Sequence, residues 1–361
     1  MSLQIDISAE RSILETAIWR NRLLLGIVLA HLLIALSISN VADTPFWSGA
    51  AVVLLDILQR LLTVAAVCLI AWRLAYGMIY AKPKKPIQWL LSDLKSFVLD
   101  FDKILDRLIC IVAITVMATS FTFLKDIVPT LNPYGWDPLF AALDRVLHFG
   151  SDPWQWLWPV LGTPPVTRFL DITYGLWFVL LYIGLFAAIF DPRSPARSMV
   201  FLVAFSLTWI LGGNLLATVF SSAGPVYFEA FGFGSEFSEQ MLQLSAIDQA
   251  TPLWSSDAQQ LLLTNYDSPG KIRGISAMPS MHVATSVVLT MFAFSYARWL
   301  GWIMVAFTGL ILIGSVHLGW HYAVDGYASI PLTVAIWFMS KALVRRFGPT
   351  SDQTDPFANN R

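Results

Sequence analysis

Charge is what this 361-residue chain has least of. Asp, Glu, Lys and Arg make up 13% of it, against about 25% in an ordinary soluble domain. The net charge is −1, so there is no basic field to attract nucleic acid, and none is expected as a partner. Cysteine is nearly absent too. Cys68 and Cys110 each sit inside an apolar run and read as small buried hydrophobes, not as a disulfide. With no companion ligands they give no zinc signature, and neither a metal nor a cofactor is expected. No internal repeat stands out. A cleavable signal peptide is not expected either, because Asp6, Glu10 and Glu15 precede the first apolar run.

What remains is apolar. Hydrophobic residues make up 56% of the chain and the mean hydropathy is +0.63. A bilayer-spanning helix needs roughly 20 mainly apolar residues. Eight stretches suggest themselves: 23–38, 50–72, 105–124, 172–190, 199–220, 282–297, 301–317 and 323–343. The expected fold is therefore all-α, a polytopic membrane protein of about eight transmembrane helices. The second stretch is interrupted by Asp56 and Arg60, whose spacing of four lets them pair on one helical face.

Lys and Arg set the orientation. Lys82, Lys84, Lys85, Arg193, Arg197, Arg298, Arg345 and Arg346 fall on the side of both termini. The opposite side holds Lys125, Arg145, Arg168, Lys271 and Arg273, spread over two long loops. Both termini are thus expected in the cytoplasm, and the loops 125–171 and 221–281 on the periplasmic or luminal side. The first loop carries four tryptophans and seven prolines, which suits helices lying along the headgroup region. The second reads as a lid, either structural or substrate-reading. Three units are expected: a two-span unit with a cytoplasmic linker over 1–103, a six-span core over 104–346, and a polar tail over 347–361.

Two motifs near the C-terminal end carry the chemistry. Pro279-Ser280-Met281-His282 and His321-Tyr322-Ala323-Val324-Asp325 each open an apolar segment. One hairpin of two spans separates them, so both meet the same membrane face. His321 and Asp325, four apart, share a helical face. The carboxylate can accept a hydrogen bond from one imidazole nitrogen and leave the other nucleophilic. An unpaired Asp within a span costs roughly 2.5–3.5 kcal/mol, which itself calls for a partner. Ser280 is of the residue type that N-caps a helix and stands before an apolar run, and the helix it opens presents free N–H groups to a phosphate. His282, in its first turn, is placed to protonate a leaving alkoxide.

Ser276-Ala277-Met278-Pro279-Ser280-Met281-His282-Val283-Ala284 and His321-Tyr322-Ala323-Val324-Asp325 resemble the type 2 phosphatidate phosphatase superfamily. The His-Tyr-x-x-Asp form is most similar to the branch containing inositol phosphorylceramide synthases. The resemblance covers about 105–345 and leaves the first hundred residues aside. It implies an integral membrane, metal-independent lipid phosphatase or phosphotransferase. In such an enzyme His321 attacks phosphorus to form a phosphohistidine, Asp325 orients it, and His282 protonates the leaving group. The substrate would be a membrane lipid phosphate. A headgroup transferase, a lipid-binding protein without turnover, and a transporter are the alternatives, although transporter sites usually lie near the bilayer midplane.

The chain also departs from that pattern. The superfamily's Lys-x6-Arg-Pro motif, aligned on Pro225, would put Lys and Arg where Ala217 and Gly224 stand. Ser315 occupies the position of an expected Arg six residues before His321. The segment Gly224-Pro225-Val226-Tyr227 instead looks like the Pro-rich variant of the transferase-containing branch, which makes Pro225 and Tyr227 candidate substrate-binding residues. Phosphoryl transfer needs positive charge near the equatorial oxygens. Lys271 and Arg273, shortly before His282, are candidates to supply it, or are an interfacial pair contacting headgroups; Arg145 and Arg168 are further options. His317, one turn before His321, either helps bind phosphate or bonds at the span end. His31 reads as a satisfied buried histidine and His148 as interfacial.

Overall fold

The structure is a computed structural model. It describes residues 7–47, 49–77, 79, 82–99, 101–191, 194–268 and 271–348. The fold is 78% helical, with no strands among the described residues. Most of the expected tail lies outside them.

Helices α1 (Ile7–Arg20) and α2 (Arg22–Val41) are separated by Asn21 alone, and α3 (Gly49–Tyr76) and α4 (Pro86–Leu99) follow. Next come α5 (Phe101–Asp126), the single turn α6 (Val128–Leu131), α7 (Asp137–Leu147), α8 (Pro153–Leu161) and α9 (Pro164–Phe190). Helix α10 (Pro195–Leu207) runs on through a π-helical stretch, Thr208–Leu216, into α11 (Ala217–Val219). After a 3-10 turn at Pro225–Tyr227 come α12 (Ser238–Ala250), α13 (Trp254–Thr264), α14 (Met281–Phe294), α15 (Arg298–His317) and α16 (Ala323–Phe347). Proline in the first turn opens α7, α8, α9 and α10. Its fixed φ suits that position, and its missing N–H would have had no helical partner there.

Six helices among the described residues are long and apolar enough to cross a membrane: Arg22–Val41, Ile104–Asp126, Pro164–Phe190, Pro195–Val219, Arg298–His317 and Ala323–Phe347. Their outward faces expose Leu29, Leu33, Val112, Ile172, Ile183 and Trp302, a distribution suited to lipid and not to water. The count of eight is not established. Helix α14 is apolar but has only 14 residues. It packs against α9, α10, α15 and α16, and Val283, Ala284 and Val288 at its heart are fully buried. Protein, not lipid, surrounds it, so its length need not match the bilayer. The expected span at 50–72 falls within α3, several of whose side chains, Cys68 among them, lie outside the described residues. Asp56 and Arg60 do pair there, at 2.7 Å.

The first two helices are tied to α5 by polar contacts. Arg20 pairs with Asp106 at 2.9 Å, and the Asn21 side chain donates to the same carboxylate at 3.0 Å. Cys110 is a buried free thiol bonded to Asn21 at 3.3 Å. Deeper in the fold, His31 bonds Asn214 of the π-helical stretch at 3.0 Å.

Helix α7 inverts the usual amphipathic pattern. Asp137, Phe140, Ala141 and Asp144 face inward, while Leu139, Leu143 and Val146 face out. The acids are inside because they serve backbone groups. Asp144 accepts the N–H of Ala323 at 2.7 Å and of Val324 at 2.9 Å, the free donors that open α16. Removing an N-cap acceptor and leaving buried N–H groups bare costs about 2 kcal/mol. Asp144→Ala should therefore lower the melting temperature in detergent, and Asp144→Asn, which keeps one acceptor oxygen, should lower it less. Burial pushes the Asp144 carboxyl up from 3.8 to about 6, against the opposing pull of the Ala323 and Val324 N–H groups. A group raised on folding stabilises the native state below its unfolded value and loses that contribution as pH rises through its folded value. Wild-type melting temperature should thus carry a component that falls between about pH 4 and about pH 6, and Asp144→Asn should remove it.

Candidate active site

Both sequence motifs sit at helix starts that face each other. Ser280 caps α14, its hydroxyl accepting the Val283 N–H at 3.5 Å. Its own N–H donates to the Asp325 carbonyl at 3.3 Å, and the Ser329 hydroxyl donates to the Ser280 carbonyl at 3.0 Å. The backbones of α14 and α16 are stitched together at that end. His321 lies just before α16, and Asp325 in its first turn is fully buried. One Asp325 oxygen lies 3.2 Å from His321 Nδ1 and accepts the Tyr322 N–H at 3.0 Å. Facing a carboxylate, Nδ1 carries the proton and leaves the Nε2 lone pair free. Burial, and after it the Lys125 ammonium, push His321 down to about 3 against a raising contact from the Ala277 backbone, so the ring is neutral.

The His282 ring lies 6.3 Å from that of His321, centroid to centroid, a gap that admits one phosphoryl group. Tyr174 stacks on His282 at 4.3 Å and Trp177 lies over it at 4.1 Å. The ring is thus sandwiched between two aromatic side chains. They keep the ring from swinging away.

Three aspartates from the first long loop and the helix after it organise the irregular segments around these rings. Asp137 accepts the N–H of Ala223 at 2.9 Å, the N–H of Gly224 at 2.8 Å and the Tyr322 hydroxyl at 2.9 Å. Asp144 caps α16. Asp171 accepts the N–H of Trp254 at 3.0 Å and of Ser255 at 2.9 Å, which opens α13. The segments also bind one another: Ala277 N–H donates to the Ser222 carbonyl at 2.8 Å, and Val226 N–H to the Gly319 carbonyl at 2.9 Å. Gln240 donates to the Val316 carbonyl at 2.8 Å and Gln259 to the Leu318 carbonyl at 2.9 Å. The last turn before His321 is thereby held from several sides.

A cavity of about 840 Å³ opens from this point. One end is polar, lined by His282, His321, Lys125, Arg273, Ser276 and Trp320. The other is apolar and runs between α3, α5 and α9, past Ile57, Ile114, Leu181 and Leu185. Among the described residues no group of three or more His, Cys, Asp or Glu side chains is arranged to hold a metal ion.

The other residues singled out from the sequence are distributed as follows. Tyr227 lines the cavity, and its hydroxyl donates to the Gln259 carbonyl at 3.1 Å. Arg273 lines it too. Pro225 and Ser280 are buried beside it without lining it. Lys271 is exposed and outside the lining. His317 is also outside it; its ring stacks on Trp158 at 5.0 Å, and Nε2 meets the Thr167 hydroxyl at 2.9 Å. Arg168 lines the cavity with its guanidinium bonded to Asp171, and Arg145 pairs with Asp152 at 2.8 Å. His148 meets the Asp144 carbonyl at 2.7 Å and the Tyr327 hydroxyl at 3.0 Å. Lys125 was not singled out. Its signal is a lone cation at the end of a long apolar run, on the face where the two motifs meet.

A family model described as the PAP2 superfamily matches residues 138–339, more than half of the chain. No curated protein and no solved structure matches it. The matched stretch includes His282, His321, Asp325 and the Gly-Pro-x-Tyr segment, and ends upstream short of Lys125.

Gly224 shows why that segment needs its glycine. Its φ is +100°, a backbone region side chains rarely enter, and a Cβ there would lie 2.5 Å from the Trp320 carbonyl oxygen, next to His321. Gly224→Ala should therefore cost about 1–3 kcal/mol in strain and lower the melting temperature. Gly309, within α15, has open space around it. Gly309→Ala should leave the melting temperature unchanged or raise it, because Ala is favoured over Gly in a helix by up to about 1 kcal/mol.

Proposed function

The chain belongs to the PAP2 superfamily, and from that premise we propose that it is a membrane-embedded phosphatase or phosphotransferase acting on a lipid phosphate through His321. The observation that carries this reading is the buried His321–Asp325 pair facing His282 across one end of a cavity whose other end is apolar. An amphiphile fits that polarity. Its phosphate would lie between the two histidines, and its hydrocarbon would follow α5 and α9 into the bilayer.

The chemistry balances in two steps. The Nε2 lone pair of His321 forms a bond to phosphorus as the bond from phosphorus to the leaving oxygen breaks. A proton held by His282 passes to that oxygen, and Asp325 stabilises the charge gained by the His321 ring. In the second step a water or alcohol oxygen attacks phosphorus and gives its proton to His282. The P–N bond then breaks and returns its electrons to His321. No metal is required by these steps, and the reaction should proceed in EDTA. The bias of Lys and Arg toward the connections near the termini supports cytoplasmic termini and a site on the periplasmic or luminal face.

Transfer to a lipid alcohol, as in the inositol phosphorylceramide synthase-like branch, is the second reading. The His-Tyr-x-x-Asp form and the absence of a Lys-x6-Arg-Pro motif favour it. It differs only in what accepts the phosphoryl group.

Purified protein in EDTA should release phosphate from at least one of phosphatidate and a polyprenyl diphosphate. His321→Ala should abolish release, and Asp325→Asn, which keeps the fold but not the charge, should lower kcat by about 10²–10⁴-fold. Turnover that survives His321→Ala would sink the reading. No phosphate release, with headgroup transfer from phosphatidylinositol once ceramide is added, would select the transferase.

A further inference from the structure

Buried polar side chains nearly always have a hydrogen-bond partner. Around this cavity several do not. Arg273 Nε, Ser276 Oγ, Tyr174 Oη and Trp320 Nε1 are all buried without one, and all four residues line the cavity. Each can donate. In a medium of low polarity a hydrogen bond left unmade is costly. Donors left bare together in the walls of one cavity mark where an acceptor belongs.

Two cationic side chains stand at the same end. Lys125 lines the cavity from α5 and is near enough to His321 to push its ring toward neutrality. Arg273 comes from the segment that crosses over Lys125. The crossing is close: a Cβ on Gly274 would lie 3.1 Å from Lys125 Cγ and 3.2 Å from Asp126 Oδ1, and Gly274 has a φ of +108° that favours glycine. The chain therefore passes directly over the lysine, which brings Lys125 and Arg273 to one wall. The Arg273 guanidinium donates from Nη1 to the Tyr266 carbonyl in a long bond of 3.4 Å, and its Nε has no partner. Arg168, the third cation of the lining, is held by Asp171 and the Pro252 carbonyl.

We propose that Lys125 and Arg273, with the Ser276 hydroxyl and the Trp320 indole N–H, form the clamp that holds the non-bridging oxygens of the phosphoryl group at His321. They would do the work of the cations that the Lys-x6-Arg-Pro position lacks. Two cationic side chains and two neutral donors match a tetrahedral oxyanion of charge −1 to −2. Charge on those oxygens is best neutralised by fixed donors already in place, and the orphaned donors here are already buried. The clamp rests on the function proposed above, because it takes the phosphorus to lie between His282 and His321.

Orthovanadate tests it, being an oxyanion that adopts the five-coordinate geometry of phosphoryl transfer. Its binding to purified protein is read from the rise in melting temperature, so no lipid turnover is needed. Wild type should be stabilised by vanadate. Lys125→Met and Arg273→Gln should each weaken that binding by at least tenfold, and Lys125→Arg should restore part of it. In the lipid assay the same losses should fall on kcat, by about 10²–10³-fold for each donor removed, more than on KM. Arg273→Gln, on a connecting segment, keeps the test open should Lys125→Met fail to fold. Vanadate affinity unchanged in Arg273→Gln and in a folded Lys125 variant would overturn the clamp, even with His321→Ala inactive. Weakening by Lys271→Gln instead would overturn it as well, as would a wild type that binds no vanadate. Turnover surviving His321→Ala would count against the underlying reading instead, and would take the clamp with it.

Discussion

Irregular backbone next to hydrocarbon must find every hydrogen-bond partner within the protein, and that requirement shapes this molecule. The segments around 221–227, 275–281 and 318–322 are neither helix nor strand over most of their length, yet many of their residues are buried. Asp137 and Gln259 bond these backbones directly, while Asp144, Asp171 and Gln240 bond the backbone at the neighbouring ends of α16, α13 and α15. With these partners the segments can approach within contact distance of the two histidines. Without them, water would have to enter, and the region would lose its low dielectric.

The two motifs were legible because their information is local. A spacing of four places His321 beside Asp325, and a serine before an apolar run caps a helix; both relations appear as the sequence implied. The paired helices α14 and α15 return the chain to the same end, as a two-span hairpin must. Span number was less legible. Hydropathy reports apolarity without saying whether lipid or protein provides it, and α14 is apolar because other helices enclose it.

The supporting acids were not legible at all. Asp137 meets Gly224 and Tyr322 across 87 and 185 residues, and Asp144 meets Val324 across 180. No periodicity or turn signal records such a pairing. A buried carboxylate in a Trp- and Pro-rich loop looks like surface charge until its partners are known. Lys125 was hidden for a related reason. A cation at the end of a span reads as an interfacial anchor, and only the crossing of Gly274 above it reveals that it is enclosed. The Gly-Pro-x-Tyr segment falls between these cases. It stood out in the sequence, but the reason for its glycine is a carbonyl from the other side of the site, that of Trp320.

The cavity joins two environments that water would separate. Its apolar arm follows α5 and α9 in the direction of the spans, with α3 contributing Ile57 and its neighbours. Its polar end gathers cations, unpaired donors and a neutral nucleophile. Low dielectric makes that end unfavourable while it is empty, since bare donors and a buried lysine are both costly there. The same low dielectric strengthens their hold on an anion once it arrives. A ligand with charge at one end and hydrocarbon at the other relieves both conditions together, the tail filling the apolar arm as the phosphate satisfies the donors. A soluble phosphate ester would satisfy only the second. On this physical ground the proposed substrate is an amphiphile, and the proposed discrimination against small phosphates comes from the arm as much as from the clamp.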